Sequence, residues 1–499
     1  MRTVNPATGE PGPELAASTP QQVSEAIARA RSAQGAWAAR PIAERIALLK
    51  KVRQAFLEQA EALVEVLGEE TGRPAGESWL SEVVPNGDLF DWWLSAGARH
   101  LRRERVSLNP INFPKKVAFI EHLPRGVVTL ITPWNLPVAI PLRTLVPALL
   151  AGNAVVFKPS EHAPRCGAFL ARLFTEVLGE GLVECVQGEG DTGAALVEGE
   201  VDLVVFTGSV KTGKVVSAAC ATRLVPCSLE LGGNDAAIVL ADAQLERAAE
   251  GIAWGACFNA GQNCAAVERV YVERAIAEDF LAKLQAVFER LRPRDDVGPL
   301  TTDFQLETVE RHLGEAREKG AIVRCGGARP EGPGRYHLPT LVVVESDDLS
   351  LMREETFGPV LAVRIVDTAE EAVRLADDSP YGLTASIWTA DVYRGWALGK
   401  DLQVGVLTVN NHSFTGGVPS LPWSGPKETG GGITNSHLAL EKLTRPRTVL
   451  LDRSKAAREL WWYPYNDTLV EIAVALRDGA LGKLGSMLKL PGLLGKRFR

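Results

Sequence analysis

The sequence predicts an α/β protein built around a doubly wound parallel sheet. Three observations carry that reading. From about residue 126 onward, short apolar runs alternate with runs of helical period, and parallel strands need such crossovers. A second strand-rich α/β region follows, roughly 231–432. The chain has 499 residues, more than one hydrophobic core serves, so two or three domains are expected.

Each element has its own signal. The first hundred residues are mostly helical in pattern. "TPQQVSEAIARARSAQGAWAA" opens on a Thr19-Pro20 start, with apolar residues following at helical spacing. "AERIALLKKVRQAFLEQAEALVEVLGEETG" is a second amphipathic run that stops at Gly72. "RVSLNPINFPKKVAFIEHLPRG" has an alternating strand and a turn near Asn109-Pro110, and reads as a hairpin. Then come the strand "GVVTLITP" and a helix over about 137–150. The strand "NAVVFKPS" precedes a helix over about 164–178. "LVECVQG" is followed by a short helix near 192–198, and "VDLVVFTGS" by a helix from about 210. In the second region the strands are "RVYVE", "PTLVVVE", "GPVLAVRIV", "TASIWT" and "VGVLTVN". "RPRTVLLD" reads as a strand that returns to a sheet elsewhere.

Composition narrows the class. The apolar share is 46%, the charged share 23% and the formal net charge −7, ordinary for a globular protein and unlike a nucleic-acid binder. The start carries no apolar stretch of a secretory signal, and no window is apolar enough to span a bilayer. A cytoplasmic location is expected. The seven cysteines form no CxxC pair, which fits free thiols in a reducing compartment. The histidines are scattered and no metal site is expected.

Five short stretches carry candidate chemistry. In "VVFTGSVKTGKVV", Gly208 and Ser209 end a strand and Gly213 lies one turn into the next helix. Unpaired N–H groups at such a helix start suit a pyrophosphate. In "NAVVFKPSE", Lys158 and Glu161 follow the end of a parallel strand, where doubly wound sheets bind ligands. An acid there accepts hydrogen bonds from ribose hydroxyls and repels a 2′-phosphate. "LELGGND" sets Glu230 beside apolar neighbours, which raise a carboxyl pKa toward that of a general base. "TPWNLP" offers the Asn135 amide as a donor to an oxyanion. "FNAGQNCAAVERV" sets Cys264 among small and polar residues. Taken singly, each also fits an ordinary turn, surface acid or structural thiol.

Their order is more specific than any one of them. "TPWNLP", "FKPSE", "FTGSVKTG", "LELGGND", "GQNC", "EETFGPV" and "PYGLTASIWT" occur in that sequence, and the chain from about residue 5 to 452 resembles the aldehyde dehydrogenase superfamily. The resemblance implies a Rossmann-like cofactor domain, an α/β catalytic domain and a small bridging oligomerisation β-sheet. It places residues 1–104 and 124–230 in the NAD-binding domain and 231–432 in the catalytic domain. Residues 105–123 and 433–453 become bridging segments, and 454–499 a C-terminal extension. It makes Cys264 the nucleophile, Asn135 with the Cys264 backbone N–H the oxyanion donors, and Glu230 the activator of a hydrolytic water. Trp134, Lys158, Glu161, Gly208, Ser209, Gly213, Glu355 and Phe357 become cofactor contacts. The cofactor is NAD, with NADP as the alternative.

The resemblance also implies a substrate pocket lined by Leu89, Phe90, Trp93, Phe258, Asn263, Ala265 and Phe414. These are largely apolar, and no arginine sits beside Cys264 in sequence. A hydrophobic aliphatic or aromatic aldehyde is therefore expected, oxidised to the free acid because Glu230 is present. The alternatives are a succinate-semialdehyde-type dehydrogenase and a catalytically silent member of the fold. The late loop, "LPWSGPKETGGGITNSHLAL", lacks the Phe-Gly-Gly of many members. A homodimer or homotetramer is expected. The tail interleaves leucine with Lys483, Lys489, Lys496, Arg497 and Arg499, with no acid after Asp478. Three readings of it stay open: a peripheral membrane contact, packing on a partner subunit or over the substrate entrance, and packing on its own subunit.

Overall fold

The computed structural model describes residues 1–110, 112–412 and 414–498, the side chain of Phe414 excepted. It divides into two compact units. The first comprises residues 1–102 and 122–446, the second residues 103–121 and 447–499.

The first unit opens with helices. Pro20–Ala39 starts at a capping box, in which the Thr19 hydroxyl accepts from Gln22 N (3.2 Å) and the Gln22 side chain accepts from Thr19 N (2.8 Å). Its Val23, Ala26, Ile27 and Ala30 recur at helical spacing and are buried. Ile42–Glu58 and Ala60–Thr71 follow, the latter ending at Gly72 in the left-handed region (φ 66°). A further helical stretch begins at Ala75–Ser78, widens into one π-helical turn at Trp79–Val83, and continues as Val84–Trp93.

A five-stranded, fully parallel sheet forms the first core. Its order is Val183–Cys185, Ala154–Lys158, Val127–Ile131, Leu203–Thr207, Cys227–Glu230. The strands are short and almost wholly apolar because helices cover both faces. Helix Ala139–Ala151 is buried on most of its residues, and Pro164–Leu178 packs one apolar face inward. Glu70 fixes the start of the latter, accepting from Arg165 N and Cys166 N, both at 2.8 Å. A short helix, Leu438–Leu443, adds Ala439, Leu440 and Leu443 to this core. The sequence reading had placed that stretch with the bridging segments.

The second core is a seven-stranded sheet. Its order is Ile322–Cys325, Thr340–Val344, Val360–Val366, Val267–Glu273, Asp235–Val239, Thr384–Trp388, Val406–Val409, and all neighbours but the first pair are parallel. Asp235–Val239 and Ile322–Cys325 were not anticipated. The first hides behind "GGND", which reads as a turn, and the second is a short, half-exposed edge.

In the second unit, Glu104–Val106 pairs antiparallel with Lys116–Pro124, and the other edge of that strand takes Thr444–Asp452. Helices Asp467–Ala480, Leu484–Met487 and Leu490–Arg497 follow, around a small core of Ile472, Ala475, Leu490 and Leu493.

Candidate active site

In the first sheet every strand runs the same way, so Ile131, Lys158, Cys185, Thr207 and Glu230 all reach one edge. The order reverses between Val127–Ile131 and Leu203–Thr207, the crevice where doubly wound sheets take ligands. Lys158 is buried there. Its Nζ donates to Pro159 O (3.2 Å) and Glu161 Oε2 (3.4 Å). Burial pulls the ammonium pKa down, and Glu161 opposes that. At the neighbouring strand end, Gly208 N donates to Glu230 O (3.1 Å). Ser209 caps helix Val210–Thr222 by accepting from Thr212 N (3.3 Å). Inside that helix, a Cβ on Gly213 would fall 2.4 Å from the Leu231 side chain, which would have to move to admit it.

Cys264 comes from the second sheet's side. It follows helix Leu245–Cys257 and a turn at Phe258–Gly261, and precedes the buried strand Val267–Glu273. Asn259 and Ala260 adopt φ 54°, a conformation that costs a non-glycine residue about 1–3 kcal/mol. A buried polar network holds them. Asn259 Nδ2 donates to Asn135 O and Gln262 O (both 2.9 Å), and its Oδ1 accepts from Arg73 Nε (3.0 Å). Arg73 pairs with Glu82 (3.0 Å) and donates to Asn135 O; Glu82 in turn accepts from Val138 N (3.2 Å) and Ala139 N (2.7 Å). The Cys264 loop and the Asn135 backbone thus share one scaffold. The Asn135 amide is held by donation from Nδ2 to Gln262 O (3.1 Å).

Close backbone approach ties the two sheets together. A Cβ on Gly233 would fall 2.1 Å from Cys264 O, which no side chain survives. Gly233 N also donates to Glu355 Oε1 (3.0 Å). The loop carrying Glu355 and Phe357 is shaped by Glu268, whose carboxylate accepts from Thr356 N (2.8 Å), Phe357 N (2.7 Å) and Asn234 Nδ2 (2.8 Å). Phe357 stands edge-on to Trp134 at 5.6 Å.

Cys264 and Glu230 open onto one cavity of about 730 Å³. Burial pushes Glu230 up to about 8, against the pull of Arg143, and its Oε1 has no hydrogen-bond partner. Burial also pushes the Cys264 thiol well up, helped by the charges of Glu355, Asp235 and Glu230 and opposed by Arg143. Glu355 is pushed to about 8 and Glu268 to about 7, again chiefly by burial. The cavity wall is mainly apolar, with Leu80, Val84, Leu136, Ile140, Trp254 and Trp423 among its residues. Leu80 is 72% exposed and Val84 52%.

The expected pocket residues divide. Leu89, Phe258 and Asn263 line the cavity. Phe90 and Trp93 do not: both are fully buried in the first core, on the inward face of helix Val84–Trp93. Ala265 is also fully buried, and packs with Leu383, Val406 and Trp423. The side chain of Phe414 lies outside what the structure describes. Arg143 was missed. It stands in the cavity wall 6.0 Å from the Trp423 ring and makes no ion pair among the described residues. The signal was a lone arginine inside the apolar run "VAIPLRTLVPALLAG"; Glu268 in "AAVERVYVE" is a signal of the same kind. Among the described residues no cluster of metal-ligating side chains occurs.

The fold is a doubly wound parallel sheet with a ligand crevice, set beside a second α/β layer whose Cys264 opens on the same cavity as Glu230. The model of the aldehyde dehydrogenase family matches residues 1–449, and the chain belongs to that family. It is 36% identical over 475 residues to a 4,4'-diapolycopene aldehyde oxidase of Methylomonas sp, covering 93% of this chain and 88% of that protein. It is also 36% identical to a putative NADP(+) succinate-semialdehyde dehydrogenase of Mycolicibacterium smegmatis, over 89% of this chain and 87% of that one. Among solved structures, the aldehyde dehydrogenase of Mycobacterium tuberculosis complexed with NAD+ superposes with a TM-score of 0.86 at 32% identity. That match covers 90% of this chain and 94% of the other.

Proposed function

We propose that this protein oxidises apolar aldehydes to carboxylic acids, with NAD as hydride acceptor. The observation that carries the reading is the placement of Cys264 and Glu230 on one large, mainly apolar cavity. The first sheet fits the dinucleotide. A buried lysine with an adjacent acid, a capped helix start after Gly208, and a glycine that admits close approach all stand at its crevice.

Each residue has a task. The Cys264 sulfur adds to the aldehyde carbon, and its proton leaves to solvent water, so that the Glu230 carboxylate stays ionised for the later step. The Asn135 amide and the Cys264 backbone N–H stabilise the resulting oxyanion. NAD, when bound, supplies the acceptor for the hydride that leaves this carbon. The product on the enzyme is a Cys264 thioester. Glu230 then takes a proton from water, hydroxide adds to the thioester carbon, and the carbon–sulfur bond breaks to release the acid. Arg143 lowers the cost of negative charge on both Cys264 and Glu230. Glu161 favours NAD over NADP, since a carboxylate beside the ribose repels a 2′-phosphate.

Arg143 supports a second reading. A half-buried guanidinium without an acid partner among the described residues, in the wall of the substrate cavity, can receive a substrate carboxylate. A succinate-semialdehyde-type substrate would use it. NADH formation, read across a series of alkyl and aromatic aldehydes and succinic semialdehyde, decides between them, with Cys264→Ala as the blank. Faster turnover with longer apolar aldehydes, little changed in Arg143→Gln, supports the first reading. Preference for the semialdehyde, lost in Arg143→Gln, replaces it with the second. No turnover on any aldehyde leaves a silent member of the family.

The seven cysteines are free, which fits a reducing, cytoplasmic setting. No helix among the described residues is long and apolar enough to cross a membrane. The exposed nine-residue edge strand Thr444–Asp452 supports a homo-oligomer, in which another subunit covers it.

A further inference from the structure

The second unit shows water more apolar surface than its small core requires. Trp462 is 53% exposed, Tyr463 78% and Tyr465 70%, and Leu481, Leu484 and Leu488 are more exposed still or comparable. The aromatic segment is not a loose loop. Arg497, itself 2% exposed, donates through Nε to Leu460 O (3.1 Å), through Nη1 to Pro464 O (2.8 Å), and through Nη2 to Trp462 O. Arg458 in turn donates to Arg497 O (2.5 Å). One buried guanidinium therefore fixes the backbone of residues 460–464 while the Trp462 and Tyr463 rings face outward. Fixing the segment costs conformational entropy, and while Trp461 packs against Phe113 and Lys116, Trp462 and Tyr463 stay largely exposed.

Charge identifies what receives them. Residues 479–498 carry Lys483, Lys489, Lys496 and Arg497 and no acid, in a chain whose net charge is −7. The lysines alternate with the exposed leucines, and Trp and Tyr are the side chains that favour the headgroup level of a bilayer. We propose that this surface docks the protein on an anionic lipid bilayer, with Trp462, Tyr463 and the leucines entering the headgroup region and the lysines against its charge. The contact lies on the membrane and does not cross it, since the helices here span 14, 4 and 8 residues. A second copy on the same patch is disfavoured, because a two-fold contact would bring like lysines together. The inference is independent of which aldehyde is oxidised.

Sedimentation of the full chain with vesicles of phosphatidylcholine, and of an equimolar mixture with phosphatidylglycerol, tests it without any turnover. Each lysine near an anionic surface strengthens binding about fivefold, so partitioning should be at least about tenfold stronger on the mixed vesicles and fall with added salt. Lys483→Gln/Lys489→Gln/Lys496→Gln should abolish the preference for the anionic vesicles. Trp462→Ser/Tyr463→Ser should weaken binding to them severalfold. These side chains are surface groups of the second unit, and an unchanged near-ultraviolet circular dichroism spectrum verifies folding. The proposal is overturned if the wild type sediments with neither vesicle, or if folded variants bind as the wild type does. Loss of self-association in the aromatic variant, with no vesicle binding by the wild type, assigns the patch to a second copy and overturns it as well.

Discussion

Glu230 ends a buried strand with one carboxylate oxygen unpartnered, and burial holds it near 8. Only the ionised form can take a proton from water. If Glu230 activates the water as proposed, the deacylation rate should rise with pH toward 8 and then level off, because its raised pKa leaves more of the base ionised at higher pH. Glu230→Gln should remove that limb. It should also leave a burst of NADH with no steady turnover, read by stopped flow; continued steady turnover would remove Glu230 from deacylation. At this scale the sequence was informative where the chemistry sits in small-residue motifs. Cys264 and Glu230 lie beside glycines, and Asn135 lies between prolines at a strand end. Arg143 was not legible, because an arginine in an apolar helical run gives no sign of facing a cavity rather than the outer surface. Phe90 and Trp93 misled for the opposite reason: helix Val84–Trp93 is apolar almost all round, so the sequence does not say which ring faces core and which faces cavity.

Among elements, the parallel strands were the most legible, since strands covered on both faces read as unbroken apolar runs. Asp235–Val239 broke that pattern with its first residue. Asp235 is accommodated because Thr384 N (3.0 Å) and Thr384 Oγ1 (2.7 Å) both donate to it, a pairing across 149 residues that no local pattern reveals. The link between elements with the greatest energetic consequence is the pair Arg73–Glu82. Both side chains are essentially without solvent, and between them they join the π-helical stretch, the Asn135 turn and the Cys264 loop. Glu82→Ala strands a buried guanidinium. Its expected cost is about 3–5 kcal/mol of stability, measured by urea unfolding of the purified protein. A loss below about 1 kcal/mol would mean that Arg73 finds another partner.

For the whole molecule, the proposed catalysis is an inter-layer property. Glu230 closes the first sheet, Cys264 precedes a strand of the second, and Gly233 holds the joint at backbone contact. Neither layer alone presents the pair. The second unit leaves Leu450 and Leu451 exposed on its edge strand. Burial of that edge by another subunit predicts that Leu451→Lys shifts the mass seen by light scattering toward the monomer, with Cys264-dependent turnover per chain retained if each site is complete within one subunit. An unchanged mass would exclude this edge as the contact.

The wide turn at Trp79–Val83 decides which side of the following helix meets the cavity. It holds one residue more than an α-helical path needs. Deleting a single residue there would swing everything downstream by about 100°, carrying Leu89 off the wall and offering the cavity a different set of side chains. The same turn carries Glu82, so its register sets both the cavity wall and the Arg73 pair that holds the Asn135 turn.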